Sequence, residues 1–131
     1  MADIMKSANQ AAGKNLVVGM DCSTTATKAI AFDKKGRVAA AASAANPLSS
    51  PKPGYYEQKA GDWWLSAQKA LRILTSRINP ESIAALAISN QRETFVPLDE
   101  YGRSVRPAIV WLDERCRSEV ASFSRIIGKA R

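Results

Sequence analysis

Histidine is absent from all 131 residues. Its absence excludes a Ser-His-Asp or Cys-His nucleophile and any His-ligated metal within the chain. Proton abstraction would have to fall to a carboxylate. Only two cysteines occur, Cys22 and Cys116. They lie far apart with no metal-ligand spacing and read as unpaired intracellular thiols. No apolar run approaches the ~20 residues of a membrane span, so no membrane partner is expected. The N-terminal MADIMKSANQAAGKN carries lysines but lacks the apolar stretch of a secretory signal. Residues 1–14 read as a flexible leader, and a cytoplasmic location is the expectation. The net charge is +7, yet no block of basic residues concentrates it. Charge scattered in this way is a solvated surface, and nucleic acid is not an expected partner.

What is present has the length and composition of one folded domain. LVVGMDC (Leu16–Cys22) is a near-continuous apolar run ending in an acid, as in a strand buried on both faces. TKAIAFD (Thr27–Asp33) follows almost at once, so the two form a hairpin whose turn carries hydroxyls. DKKG is a second turn, with Gly36 free to take positive φ. RVAAAASAAN (Arg37–Asn46) has helical propensity, but the tight turn before it argues for a third antiparallel strand. A long Pro/Ser/Gly loop leads to a helix beginning near Asp62. Its stripe is Trp64, Ala67, Leu71, Leu74 and Ile78, and Asn79-Pro80 stops it. Trp63 and Trp64 are assigned to packing at the helix start.

SIAALAIS (Ser82–Ser89) reads as a central strand, parallel to an earlier one through a crossover. The turn LDEYGR then echoes FDKKGR and predicts another hairpin, with Pro97 and Pro107 keeping its strands short or at an edge. A last helix is expected with Asp113 as N-cap. Cys116, Val120, Phe123 and Ile127 would lie on one face, and Gly128 would close it. The fold class is therefore α/β, a mixed sheet with helices packed on it.

Asp21 and the run Ser23-Thr24-Thr25 carry the chemistry. Successive amides and hydroxyls in a tight turn make a concave donor surface suited to phosphate. An acid ending the preceding strand could hold Mg²⁺ through water, and Lys28 could add charge. The same run also fits an ordinary turn, because Ser and Thr hydrogen-bond their own backbone.

DCSTTATKA resembles the first phosphate-binding hairpin of the FGGY carbohydrate kinases, members of the actin-like ATPase superfamily. SNQRETFVPLDEYGRSVRPAIVWLDERC resembles that family's substrate hairpin, with Asn-Gln-Arg-Glu-Thr similar to glycerol kinases. GYYEQKAGDWW resembles the segment before its first helix. One residue departs from the pattern: Ser23 stands where glycine is usual, as in xylulose-kinase-like sequences.

The resemblance implies a ribonuclease-H-like sheet with flanking helices, with residues 15–131 forming part of an N-terminal lobe. It implies ATP-dependent phosphorylation of a sugar or polyol hydroxyl with Mg²⁺. Asp21 would face the metal, while Ser23, Thr24, Thr25 and Lys28 would line the phosphate side. Arg92 and Glu93 would hydrogen-bond adjacent hydroxyls of the substrate, a donor-only group beside an acceptor-only one. Trp111 would present a flat apolar face, although inside AIVWL it also reads as core. Family members are several times longer, and their catalytic base lies downstream. The chain alone is thus expected to hold no catalytic residue, and a homodimer is one expectation for the full-length enzyme. The alternative is a non-catalytic phosphate- or nucleotide-binding module that keeps the hairpin.

Overall fold

The structure, a computed structural model, describes residues 13–128. The expected leader lies outside the described residues apart from Gly13 and Lys14. The chain divides into two compact units. The first comprises the described residues up to Asn46 together with Gly61–Gln91, and the second comprises Pro47–Ala60 with the chain from Arg92 onward.

In the first unit, β1 (Leu16–Cys22), β2 (Ala26–Asp33), β3 (Val38–Ala45) and β5 (Ile83–Asn90) form one sheet in the order β3-β2-β1-β5. β2 is antiparallel to β1 and β3, whereas β5 is parallel to β1. Alternation decides which side is covered. Leu16, Val18, Met20, Ala29 and Ala31 point one way and are buried against α1 (Ala60–Thr75) through Ala67, Ala70 and Leu74. The helix stripe recurs at i, i+3 and i+7, and alanines are buried on both sides of this contact. A 3₁₀ turn, Pro80–Ser82, follows, capped by the Asn79 side chain on the Glu81 amide.

The alanine-rich third segment is a strand, as the turn before it required. Asp33 Oδ1 accepts from the amides of Lys35 (2.8 Å) and Arg37 (3.0 Å), and Gly36 takes φ 75°. Two expectations change. Among the described residues β5 pairs only with β1 and is an edge strand, and its Leu86 and Ile88 are exposed because α1 covers β1, β2 and β3 instead. Trp64 is 66% exposed, so it does not pack the helix start; the buried face runs through Ser66 and Ala67.

The second unit holds the short antiparallel pair β4 (Glu57–Gln58) and β6 (Ala108–Ile109), with Gln58, Ala108 and Val110 buried. The LDEYGR turn repeats the wiring of the first: Asp99 Oδ1 accepts from Tyr101 (3.0 Å) and Arg103 (2.9 Å), and Gly102 has φ 76°. Its flanks are reduced to isolated bridges, Leu98 to Ser104 and Phe95 to Ile109, consistent with the missing proline donors. The last helix, α2 (Arg117–Ile127), starts three residues later than expected, with Cys116 at the N-cap position. Asp113 is not its cap, because that carboxylate is taken by Arg115 and the Tyr56 amide. Gly128 closes the helix with φ 72°. Val120, Phe123 and Ile127 do share a face, but each is more than 60% exposed. Among the described residues no helix is long and apolar enough to cross a membrane.

Candidate functional site

The register places four strand ends at one rim of the four-stranded sheet. Cys22 pairs with Thr27 and lies beside Asn90, while Ala26 pairs with Ala45. The exit of β1, the entry of β2 and the exits of β3 and β5 are therefore neighbours. Open α/β sheets bind ligands beyond the carboxyl ends of their strands, and β1, β3 and β5 all end at this rim.

Asp21 stands just inside this rim, between Lys28 on β2 and Ser89 on β5. The Ser89 hydroxyl donates to Asp21 Oδ1 at 2.9 Å, and the Ser23 hydroxyl donates to Oδ2. The Ser23 bond first, then Ser89 and the Lys28 charge, hold the Asp21 carboxyl below its usual range. It is therefore a carboxylate at neutral pH. Asp21, Lys28 and Ser89 also line an open groove on the sheet with Gly19, Ile30 and Phe32.

The turn itself is braced from beneath. Asn46, 5% exposed, donates from Nδ2 to the Ser23 carbonyl at 2.6 Å and from its own amide to the Thr25 carbonyl at 2.9 Å. Its Oδ1 accepts from the fully buried Thr27 hydroxyl at 3.3 Å. The Thr24 hydroxyl donates to Gln91 Oε1 at 2.9 Å, and the Gln91 amide donates to the Cys22 carbonyl at 3.1 Å. Thr24 is half-buried and Thr25 exposed, so the tip stands at the surface while its base is fixed.

Asp21, Ser23, Thr24, Thr25 and Lys28 thus fall together in the first unit. Arg92, Glu93 and Trp111 belong to the second. There, Arg92 and Glu93 are exposed, and Glu93 adopts φ 58°, the one positive φ of a non-glycine among the described residues. Backbone of this kind costs a residue with a side chain on the order of 1–2 kcal/mol. Glu93→Val should therefore be less stable than Glu93→Gly by about 1–2 kcal/mol in denaturant unfolding. Equal midpoints for the two would remove the claim of strain. Trp111 is 57% exposed and is not core. Its amide donates to Thr94 Oγ1 at 3.1 Å, joining it to the Arg92–Glu93 stretch.

Sequence reading assigned no role to Asn46, Ser89, Gln91 or Thr94. Ser89 and Gln91 flank Asn90 inside the quoted motif, so their position was visible and only their partners were not. Asn46 gave one signal, a polar residue ending an apolar strand.

Among the described residues no group of three His, Cys, Asp or Glu side chains could hold a metal. A cation at Asp21 would have one carboxylate, neighbouring hydroxyls, water and phosphate oxygens. That hard, oxygen-only and largely hydrated set suits Mg²⁺.

Comparison with known proteins accords with this arrangement. Residues 16–131 match the sequence model of the FGGY family of carbohydrate kinases, N-terminal domain. The glycerol kinase of Enterococcus casseliflavus is 37% identical over 120 residues, covering 89% of this chain and 24% of that protein. The xylulose kinase of Escherichia coli (strain K12) is 30% identical over 116 residues, covering 88% and 24%. The crystal structure of xylulose kinase from Rhodospirillum rubrum superposes with a TM-score of 0.78 at 32% identity, over 86% of this chain and 24% of that one. The chain therefore spans about a quarter of the length of these relatives. With the family match running from the first strand through the last helix, the chain belongs to the FGGY family of carbohydrate kinases.

Proposed function

We propose that the chain is the N-terminal part of an ATP-dependent kinase that phosphorylates a hydroxyl of a small sugar or polyol. The observation that carries this reading is Asp21 at the sheet rim, ionised and oriented by the Ser23 and Ser89 hydroxyls beside a hydroxyl-rich turn. Mg²⁺, when bound, would supply positive charge against that of the nucleotide's phosphates. Asp21 would hold that ion through its free lone pairs. The Thr24 and Thr25 amides and hydroxyls would cradle the phosphates, with Ser23 orienting Asp21 and Lys28 adding positive charge. Arg92 donates and Glu93 accepts, so together they can fix a diol in one orientation. Trp111 offers an exposed indole face to the C–H side of the substrate.

Glycerol and xylulose, named by the relatives, are the first candidates. No residue of the chain is assigned as the catalytic base. Positioning and charge supply most of the rate in phosphoryl transfer, but the hydroxyl proton still needs an acceptor.

The test uses the 131-residue chain. Mg-ATP is expected to shift the amide resonances of Thr24 and Thr25, and a coupled assay with glycerol and xylulose is expected to give no turnover. Absence of any Mg-ATP shift at those amides would overturn the phosphate assignment. Clear turnover would show that a base lies within these residues. Binding with no turnover even from the longer protein would favour the non-catalytic module.

A further inference from the structure

The second unit contains an ion-pair bracket that the motif reading did not use. Asp113, whose side chain is 3% exposed, receives Arg115 Nε on Oδ1 at 2.7 Å and Nη2 on Oδ2 at 2.8 Å. Its Oδ2 also accepts the Tyr56 amide at 2.6 Å, and its Oδ1 the Arg115 amide at 2.9 Å. Arg115 Nη2 reaches Glu57 Oε1 at 2.8 Å, and the guanidinium lies 4.3 Å from the centre of the Tyr55 ring. A planar donor fork is thus used on two carboxylates and one aromatic face, a combination that an ammonium cannot reproduce.

What this bracket encloses is the turn bearing Trp111. The Asp113 amide donates to the Val110 carbonyl at 2.9 Å, closing Trp111 and Leu112 between them. The Val110 amide donates to the Tyr56 carbonyl at 3.0 Å, and the Trp111 amide to Thr94. The indole is 57% exposed, and the backbone that carries it is held by these bonds. A flat ring adds to ligand affinity mainly when its plane is set before the ligand arrives.

We propose that Arg115 is a positioning residue: by clamping Asp113, Glu57 and Tyr55 it fixes the Trp111 turn and thereby sets the affinity for a sugar or polyol. The affinity part rests on the reading of Trp111 as the substrate's platform. Fixation of the turn does not depend on that reading and can be measured separately.

Trp63→Phe with Trp64→Phe leaves Trp111 as the sole tryptophan, since the chain has three. On that background Arg115→Lys and Glu57→Gln are compared, each first shown to be folded by circular dichroism. Acrylamide quenching and fluorescence anisotropy of Trp111 report its fixation, and titration with glycerol or xylulose reports affinity. In Arg115→Lys we expect higher quenching, lower anisotropy and roughly tenfold weaker sugar binding. Glu57→Gln, which keeps the shape and removes one charge, should move each readout the same way by less. Unchanged quenching and anisotropy in folded Arg115→Lys would overturn the positioning role. A background protein whose Trp111 signal ignores both sugars would overturn the platform reading and the affinity claim with it, while the quenching comparison would still decide whether Arg115 fixes the turn.

Discussion

Asn46→Leu is expected to lower the unfolding free energy of the first unit by about 2–4 kcal/mol. The substitution keeps the volume of a residue that is 5% exposed and removes its polar atoms. The Ser23 carbonyl loses its 2.6 Å donor, and the Thr27 hydroxyl, 0% exposed, loses its acceptor. Each orphaned buried group costs about 1–3 kcal/mol. No buried side-chain nitrogen or oxygen among the described residues otherwise lacks a partner, so the variant introduces defects of a kind the native fold avoids. Adding Thr27→Val should recover about 1 kcal/mol, because two apolar groups then face each other. Urea denaturation of both variants measures this, and a loss under ~1 kcal/mol in the single variant would contradict the bracing role. The same variant should weaken phosphate-dependent shifts at Thr24 and Thr25, since the carbonyls of Ser23 and Thr25 flank that pair.

Asp113→Leu should cost the second unit a comparable amount, about 2–4 kcal/mol. Arg115 is 18% exposed and would keep its charge without its bidentate partner, while the Tyr56 amide would lose its acceptor. Breaking a buried pair from one side is worse than replacing both members. Arg115→Met in the same chain should therefore restore a large part of the loss. The pair also sets an acid limit. Hydrogen bonding from Arg115 above all, aided by the Tyr56 amide, pulls Asp113 from 3.8 to about 2. A carboxyl lowered on folding contributes stability that is fully present above its unfolded value near 3.8 and is lost as pH falls through about 2. Acid titration of the wild type should show this contribution fading across that window, and in Asp113→Leu the step should be absent.

Much of the first unit was legible in the sequence because its signals are contiguous. LVVGMDC and TKAIAFD are apolar runs that end in recognisable turns, and the Asp33–Arg37 turn overrode alanine's preference for helix in Val38–Ala45. Burial of the first run on both faces did not hold, since Val17 is 48% exposed and only alternate residues of β1 are covered. The phosphate turn was legible for the same reason, since Ser23, Thr24 and Thr25 are adjacent. Its support was not. Ser89 reaches Asp21 only through parallel register, and Asn46 reaches Ser23 across a hairpin, so neither pairing has a local pattern. Asp113 had the form of a helix N-cap and does accept the Arg115 amide, but its carboxylate also binds the Arg115 guanidinium and the Tyr56 amide, and α2 begins only at Arg117. The stripe on α2 was correctly periodic, yet periodicity predicts a shared face and says nothing about what covers it. Trp64 failed similarly: its spacing fitted the stripe, but the buried face of the helix runs through Ser66, Ala67, Ala70 and Leu74.

The sheet's register has a practical corollary. Leu16 pairs with Asp33 and lies beside Ile83, so the Lys34-Lys35 reversal projects from the end of the strands farthest from Asp21 and Ser23. Both lysines are exposed. A dye, spin label or surface tether attached there is separated from the hydroxyl-rich tip by the full length of β2, which makes this reversal the natural anchoring point for immobilised experiments.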